Sequence, residues 1–104
     1  MALDITIVDK KTEYPIKELP LSVRNHGILM NLLKDNQNVL LLKRFSSYYQ
    51  DNFFNHSELF ELKNEINSLP NDKFDFEFSL FLKNFKEFID LAIVLQSHIH
   101  LIAD

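Results

Sequence analysis

The chain has 104 residues, of which 46% are hydrophobic and 25% charged, and its net charge at pH 7 is −4. This length suits one domain (residues 1–104) with one core, and the composition excludes an intrinsically disordered chain. The sequence contains no cysteine and one glycine, which excludes disulfides and thiolate sites and argues against a glycine-rich phosphate loop.

Charge and hydropathy also limit the compartment and the partners. The first residues carry no basic leader followed by an apolar stretch, so we expect no export and a cytoplasmic location. The longest apolar runs, 39–42 and 91–95, are far shorter than the ~20 residues that span a bilayer. Because phosphate binding needs clustered Lys and Arg, the acidic balance disfavours direct contact with nucleic acid. We therefore expect neither a membrane nor a nucleic acid as partner.

Alternating side chains predict strands at both ends of the chain. Residues 2–8 and 97–103 each alternate apolar and polar side chains, which is typical of half-buried strands. Pro15 and Pro20 each remove a backbone donor, which limits residues 16–19 to a short edge strand at most. We expect the two terminal strands to pair.

Helical spacing predicts a first helix over residues 23–34, with Ser22 as its N-cap. A second helix follows a cap at Asn55 or Ser57 and ends before Pro70. Its apolar stripe consists of Leu59, Leu62, Ile66 and Leu69.

The clearest helix covers residues 74–95, where apolar residues recur every three or four positions. This stripe consists of Phe74, Phe78, Phe81, Phe85, Phe88, Ala92 and Leu95. It is too short for an independent coiled coil, so we assign its phenylalanines to the core.

Two internal segments are less regular. Residues 39–45 suit a buried strand or a short helix, and the possible cap Asn38 favours the helix. Residues 46–56 have no clean period and predict a loop that carries four aromatic rings. The predicted fold is α+β and mostly helical, with three to four helices packed on a small sheet made by the N- and C-terminal strands.

Histidines offer a possible metal site. His98 and His100 share one face of a predicted strand, and His26 and His56 could add ligands. Such a pair on a terminal strand more often belongs to a solvated face. We assign no metal and no cofactor.

Catalytic patterns are weak. His56 lies near Asp51 and Ser57, but no glycine is present there to build an oxyanion hole. Asp75 and Glu77 alternate with phenylalanines, which could raise a carboxyl pKa, but acids at a helix N-terminus need no catalytic explanation. We predict no catalytic residues and no enzymatic activity.

The charge distribution is more informative. Residues 45–82 carry seven acidic and two basic side chains, a net charge of −5, whereas residues 1–44 have a net charge of +2. The same acidic segment contains ten aromatic residues. Aromatic anchors surrounded by charge of one sign are typical of a protein interface for a basic partner, although acidic helix surfaces and tucked-in loop aromatics are also common.

Four sequence segments resemble the small immunity proteins of bacterial contact-dependent growth inhibition and polymorphic toxin systems. They are residues 3–8 (Leu-Asp-Ile-Thr-Ile-Val), 14–16 (Tyr-Pro-Ile), 44–51 (Arg-Phe-Ser-Ser-Tyr-Tyr-Gln-Asp) and 102–104 (Ile-Ala-Asp). The resemblance implies a non-enzymatic cytosolic protein that covers the active site of a cognate toxin. That toxin is expected to be a nuclease, because an acidic surface can mimic a phosphate substrate.

The interface hypothesis names seven toxin-binding residues. They are Tyr48, Tyr49, Asp51, Phe53, Glu58, Glu61 and Glu65. The alternative is a structural or adaptor protein that self-associates through the same patch, and a hydrolase that uses His56 or the His98–His100 pair is a third possibility.

Overall fold

The structure is a computed structural model that describes residues 3–36, 38–46, 51–70 and 74–103. Its strands are β1 (Leu3–Val8), β2 (Pro15–Leu21), β3 (Asn52–Phe54) and β4 (His98–Ala103). Its helices are α1 (Val23–Lys34), α2 (Leu59–Ser68) and α3 (Phe76–Val94), with short 3-10 helices at Leu42–Ser46 and His56–Glu58. The predicted α+β class is confirmed.

The four strands form an antiparallel sheet in the order β2-β1-β4-β3. The predicted pairing of the terminal strands is confirmed, with Leu3 opposite Ala103 and Val8 opposite His98. β2 is longer than predicted and includes both Pro15 and Pro20. An edge strand tolerates prolines because one side of its backbone needs no partner strand.

The predicted loop over residues 46–56 is wrong for Asn52–Phe54, which form β3, and for Ser46 and His56, which belong to the flanking 3-10 helices. Phe54 is buried in the core while Phe53 is exposed. Pairing with β4 therefore places Phe53 and Phe54 on opposite faces of the sheet. Three residues are too short a run for this alternation to be recognised in the sequence. Residues 47–50 lie outside the described residues.

The first helix begins at its predicted cap, whereas the predicted cap of the second helix lies one 3-10 turn before α2 begins at Leu59. The Ser22 hydroxyl accepts a hydrogen bond from the backbone N–H of Asn25 at 3.1 Å. Asn55, rather than Ser57, forms a capping box with Glu58 at the start of the 3-10 turn that leads into α2. The predicted stripe Leu59, Leu62, Ile66 and Leu69 is buried.

α3 begins two residues later than predicted, because the carboxylate of Asp75 accepts from the N–H of Phe78 at 2.9 Å and so caps the helix. The core assignment of its phenylalanines is confirmed for Phe78, Phe81, Phe85 and Phe88. The segment 39–45 forms a turn and then the 3-10 helix Leu42–Ser46, and no residue of it is in a strand.

The two faces of the sheet differ in what covers them. Leu3, Ile5 and Ile7 join the helices in one hydrophobic cluster, together with Leu21, Phe54, Ile99 and Leu101. Strand alternation directs the intervening side chains away from the helices. We call this side the open sheet face. It consists of Asp4, Thr6, Val8, Pro15, Glu18, Pro20, Phe53, His98, His100 and Ile102, of which Thr6 and Val8 are buried. Within the described ranges, no helix is both long and apolar enough to cross a membrane.

Candidate functional site

Three of the predicted toxin-binding residues, Glu58, Glu61 and Glu65, form an acidic stripe at the start and along one side of α2. This stripe was expected to face water or a partner, and Glu65 does not. Its side chain is buried at 5% exposure. Its two carboxylate oxygens accept from the backbone N–H groups of Leu42 at 2.9 Å and Leu41 at 3.1 Å. This part of the prediction is wrong, because Glu65 holds the segment that precedes the first 3-10 helix against α2.

Glu58 is also engaged within the chain. It forms a paired salt bridge with Arg44, with Nη1–Oε1 at 2.9 Å and Nη2–Oε2 at 2.5 Å. Hydrogen bonding by Arg44 holds the pKa of Glu58 below its ordinary value, and the same bonds raise the pKa of Arg44. Arg44 also donates to the carbonyl of Phe53 at 3.0 Å and lies 5.3 Å from the ring centre of Phe54. The pair therefore ties the first 3-10 helix to β3 and to the start of α2.

Glu61 is the member of the stripe that remains exposed. It lies between two carboxylates that bind the segment 38–46, so this side of α2 serves the chain's own packing more than a partner. The exposed aromatic neighbour Phe60, at 62% exposure, was not among the predicted site residues. Only an explicit helical wheel that placed Phe60 off the buried stripe could have identified it from sequence.

The other predicted residues lie on or beside the sheet. Phe53 is 52% exposed, and its ring centre lies 5.8 Å from that of His100. Asp51 is exposed and its carboxylate accepts from the N–H of Ala103 at 2.8 Å. Tyr48 and Tyr49 lie outside the described residues. The structure thus keeps Asp51 and Phe53 together but places Glu61 in the helical layer, away from them.

The open sheet face carries acidic and apolar groups together. Asp4 and Glu18 are its charged residues, and neither lysine nor arginine is among its members. Phe53 and Ile102 are exposed apolar side chains there. An acidic and aromatic surface was predicted for residues 45–82, but Phe53 is the only residue of this face that comes from that segment.

A shallow groove of about 210 Å³ runs beside this face, between β2 and α3. Its charged lining residues are Lys17, Glu18 and Glu87, with Leu19, Asn84, Phe88 and Leu91 completing it. Glu18 therefore borders both the groove and the open sheet face.

The side chains of His26, His56 and His98 lie within hydrogen-bonding distance of backbone groups. His98 accepts through Nδ1 from the backbone N–H of His56 at 2.9 Å, and a ring nitrogen of His56 lies 3.3 Å from the carbonyl oxygen of Ile93. A ring nitrogen of His26 lies 2.6 Å from the carbonyl oxygen of Phe45. Among the residues that the structure describes, no three His, Asp or Glu side chains converge in a geometry that could hold a metal ion.

The loop residues considered for acyl transfer are not arranged around one another. The hydroxyl of Ser57 donates to the side chain of Asn55 at 2.6 Å. His56 contacts α3, and Asp51 contacts β4. Each of these polar groups thus supports a local turn or strand contact.

Comparisons of the chain with protein-family models, with curated proteins and with solved structures found no match.

Proposed function

We propose that this protein is an immunity protein that binds and neutralises a cognate toxin domain, a nuclease, by covering its active site in the bacterial cytoplasm. It acts without catalysis and without a cofactor. The observation that supports the proposal is the open sheet face, where the exposed ring of Phe53 and the carboxylates of Asp4 and Glu18 occur and neither lysine nor arginine is among the face residues. Such a surface suits a basic partner, because the ring supplies buried area and the carboxylates steer association.

The proposal moves the expected contact away from α2. Glu58 and Glu65 are held by Arg44 and by backbone amides, so a partner could reach them only by disrupting those contacts. Asp51 and Phe53 remain contact residues of the proposed surface, joined by Asp4, His100 and Ile102.

The test uses the toxin domain encoded beside this gene, with binding measured for two single variants. Phe53→Ala removes an exposed ring on the open sheet face, and Phe60→Ala removes a similarly exposed ring on α2. We expect Phe53→Ala to raise Kd about tenfold or more, as for an interface anchor, and Phe60→Ala to change it by about twofold at most. Equal effects would contradict the assignment of the surface, and the lack of any toxin gene beside this one would contradict the function.

Self-association through the same face is the alternative. Two copies placed face to face would bring Asp4 and Glu18 of both chains together, and like charges in close contact are unfavourable. We therefore expect a mass in solution that does not change with protein concentration. A concentration-dependent mass that Phe53→Ala abolishes would favour the adaptor role instead.

A further inference from the structure

We infer that one cross-strand row of the open sheet face, Glu18–Thr6–His100–Phe53, binds the guanidinium of an arginine presented by a protein partner. The inference rests on the proposed function in that it names the chemistry by which the partner is recognised.

The row is fixed by the strand register. Thr6 of β1 lies opposite Glu18 of β2 on one side and opposite His100 of β4 on the other, and His100 lies opposite Phe53 of β3. Residues directly opposite in an antiparallel sheet share a face, with neighbouring strands about 4.8 Å apart. A carboxylate, a hydroxyl, an imidazole and a phenyl ring thus follow one another over a span of roughly 14 Å, which an arginine side chain can partly cover.

The centre of the row holds a polar atom without a partner. Thr6 is buried at 0% exposure, and its Oγ1 has no hydrogen-bond partner among the described residues. Buried hydroxyls are almost always paired, so an orphan needs an explanation. Thr6 lies between Glu18 and His100 in the sheet, so a donor from outside has to reach its hydroxyl between those two side chains.

The charge of the face specifies a cation. Its charged members are the acids Asp4 and Glu18, so a phosphate or carboxylate ligand would be repelled. Guanidinium fits better than ammonium, because it donates several hydrogen bonds in one plane. Glu18 and Thr6 supply acceptors for the guanidinium, and the methylene stem of the arginine lies over His100 toward Phe53, which is two strands away from Thr6.

A second copy of this chain is a poor source of that arginine. The chain has two arginines, Arg24 and Arg44. Arg24 is bound by Asp75 and Glu77, and Arg44 by Glu58. Self-association through this row would therefore have to break an existing ion pair.

The experiment is an NMR titration of the isotope-labelled full chain at pH 7.5 and low salt. The probes are hexa-arginine, hexa-lysine and the neutral analogue hexa-citrulline. We expect the largest amide shifts at Thr6, Glu18, Phe53 and His100, tighter binding of hexa-arginine than of hexa-lysine by about threefold or more, and no binding of hexa-citrulline. Largest shifts on α2 or α3, or equal affinity for the two cationic peptides, would overturn the inference.

Two variants of Thr6 separate binding from folding. Thr6→Val removes the hydroxyl, so we expect it to raise Tm, because a buried unpaired group is lost, and yet to weaken hexa-arginine binding about tenfold. Thr6→Ser keeps the hydroxyl and should bind as the natural chain does. Unchanged hexa-arginine binding by Thr6→Val would overturn the inference.

A matched pair of charge variants tests the edge of the row. Glu18→Gln is expected to weaken hexa-arginine binding several-fold, whereas Glu61→Gln removes the same charge from α2 and should leave it nearly unchanged. Equal weakening would indicate attraction by net charge alone and would overturn the inference. If hexa-arginine binds at the row but no toxin partner exists, the proposed function is refuted and this inference stands. If a toxin binds elsewhere on the chain, the proposed function stands and this inference is refuted.

Discussion

Two glutamates on one side of α2 differ in what their carboxylates do. Glu61 is exposed, whereas Glu65, one turn later, is buried and accepts from the amides of Leu41 and Leu42. Sequence spacing treats the two alike, because both fall outside the apolar stripe. The difference arises from a distant segment that brings unpaired backbone donors to Glu65.

Replacing Glu65 by Ala should therefore destabilise the fold strongly. Two buried amides would lose their acceptor and a cavity would remain, so we expect the free energy of unfolding to fall by about 3 kcal/mol. Glu61→Ala is the matched control and should change it by about 0.5 kcal/mol at most. Urea unfolding followed by circular dichroism measures both, and equal losses would refute the distinction.

His98 makes stability depend on pH. Its Nδ1 accepts from His56, which requires that nitrogen to be unprotonated. Burial, and then the neighbouring His100, Lys10 and His56, lower the pKa of His98 below its ordinary value of 6.5, against a smaller opposing effect of Glu13. The unfolded chain therefore binds a proton more readily than the folded one in this range.

We accordingly expect stability from this group to be complete above pH 6.5 and to be lost as the pH falls from 6.5 toward the lowered pKa. Tm measured between pH 8 and pH 5 should decline more in the natural chain than in His98→Gln, because the variant has no titratable side chain at position 98. The same decline in both proteins would show that other groups account for it.

At the scale of elements, α1 contains a glycine, Gly27, which lowers helix stability and which no contact in the fold requires. Gly27 lies exposed within the helix, its φ is not positive, and a Cβ built there meets nothing within 4 Å. Gly27→Ala should therefore raise the free energy of unfolding by about 0.5–1 kcal/mol, because alanine loses less conformational freedom in a helix. A urea titration with an unchanged m-value measures this gain, and a loss of stability would reveal a role for the glycine that the fold does not require.

Local signals determined most of the elements. Ser22, Asn55 and Asp75 cap their helices through their own side chains, and such caps can be read directly from sequence. β3 and the 3-10 helix Leu42–Ser46 could not be read in this way. β3 depends on pairing with β4, and the 3-10 helix depends on Glu65 and on Arg44 bound to Glu58.

Only part of the proposed surface could be predicted from the sequence. An acidic and aromatic surface was expected from residues 45–82, and Asp51 and Phe53 do contribute to one. Its other acids, Asp4 and Glu18, come from a segment with a net positive charge. Only the strand register brings them onto one face, and register over such distances in sequence cannot be derived from local pattern.

At the scale of the whole molecule, both edges of the sheet are protected from further strand pairing. β2 contains Pro15 and Pro20 and has an irregular register near Val8. β3 has three residues, and Arg44 already occupies the carbonyl of Phe53. Such features oppose aggregation by strand addition, so a partner is expected to contact a face of the sheet rather than an edge.

The sheet depends on strands from opposite ends of the chain. β4 is an inner strand that pairs with both β1 and β3. A chain shortened to residues 1–96 should therefore show no cooperative thermal unfolding, although we expect circular dichroism to detect some residual helix at low temperature. A sharp transition in this shortened chain would show that the sheet is not needed for folding.

The pairing of Leu3 with Ala103 also sets the order of events on the ribosome. The strand β1 is synthesised before the three helices, but β4, which completes its second side, is synthesised after them. Until β4 emerges, β1 can pair with β2 alone. Any surface that spans β1 and β4 therefore becomes available only after the segment between these two strands has been synthesised.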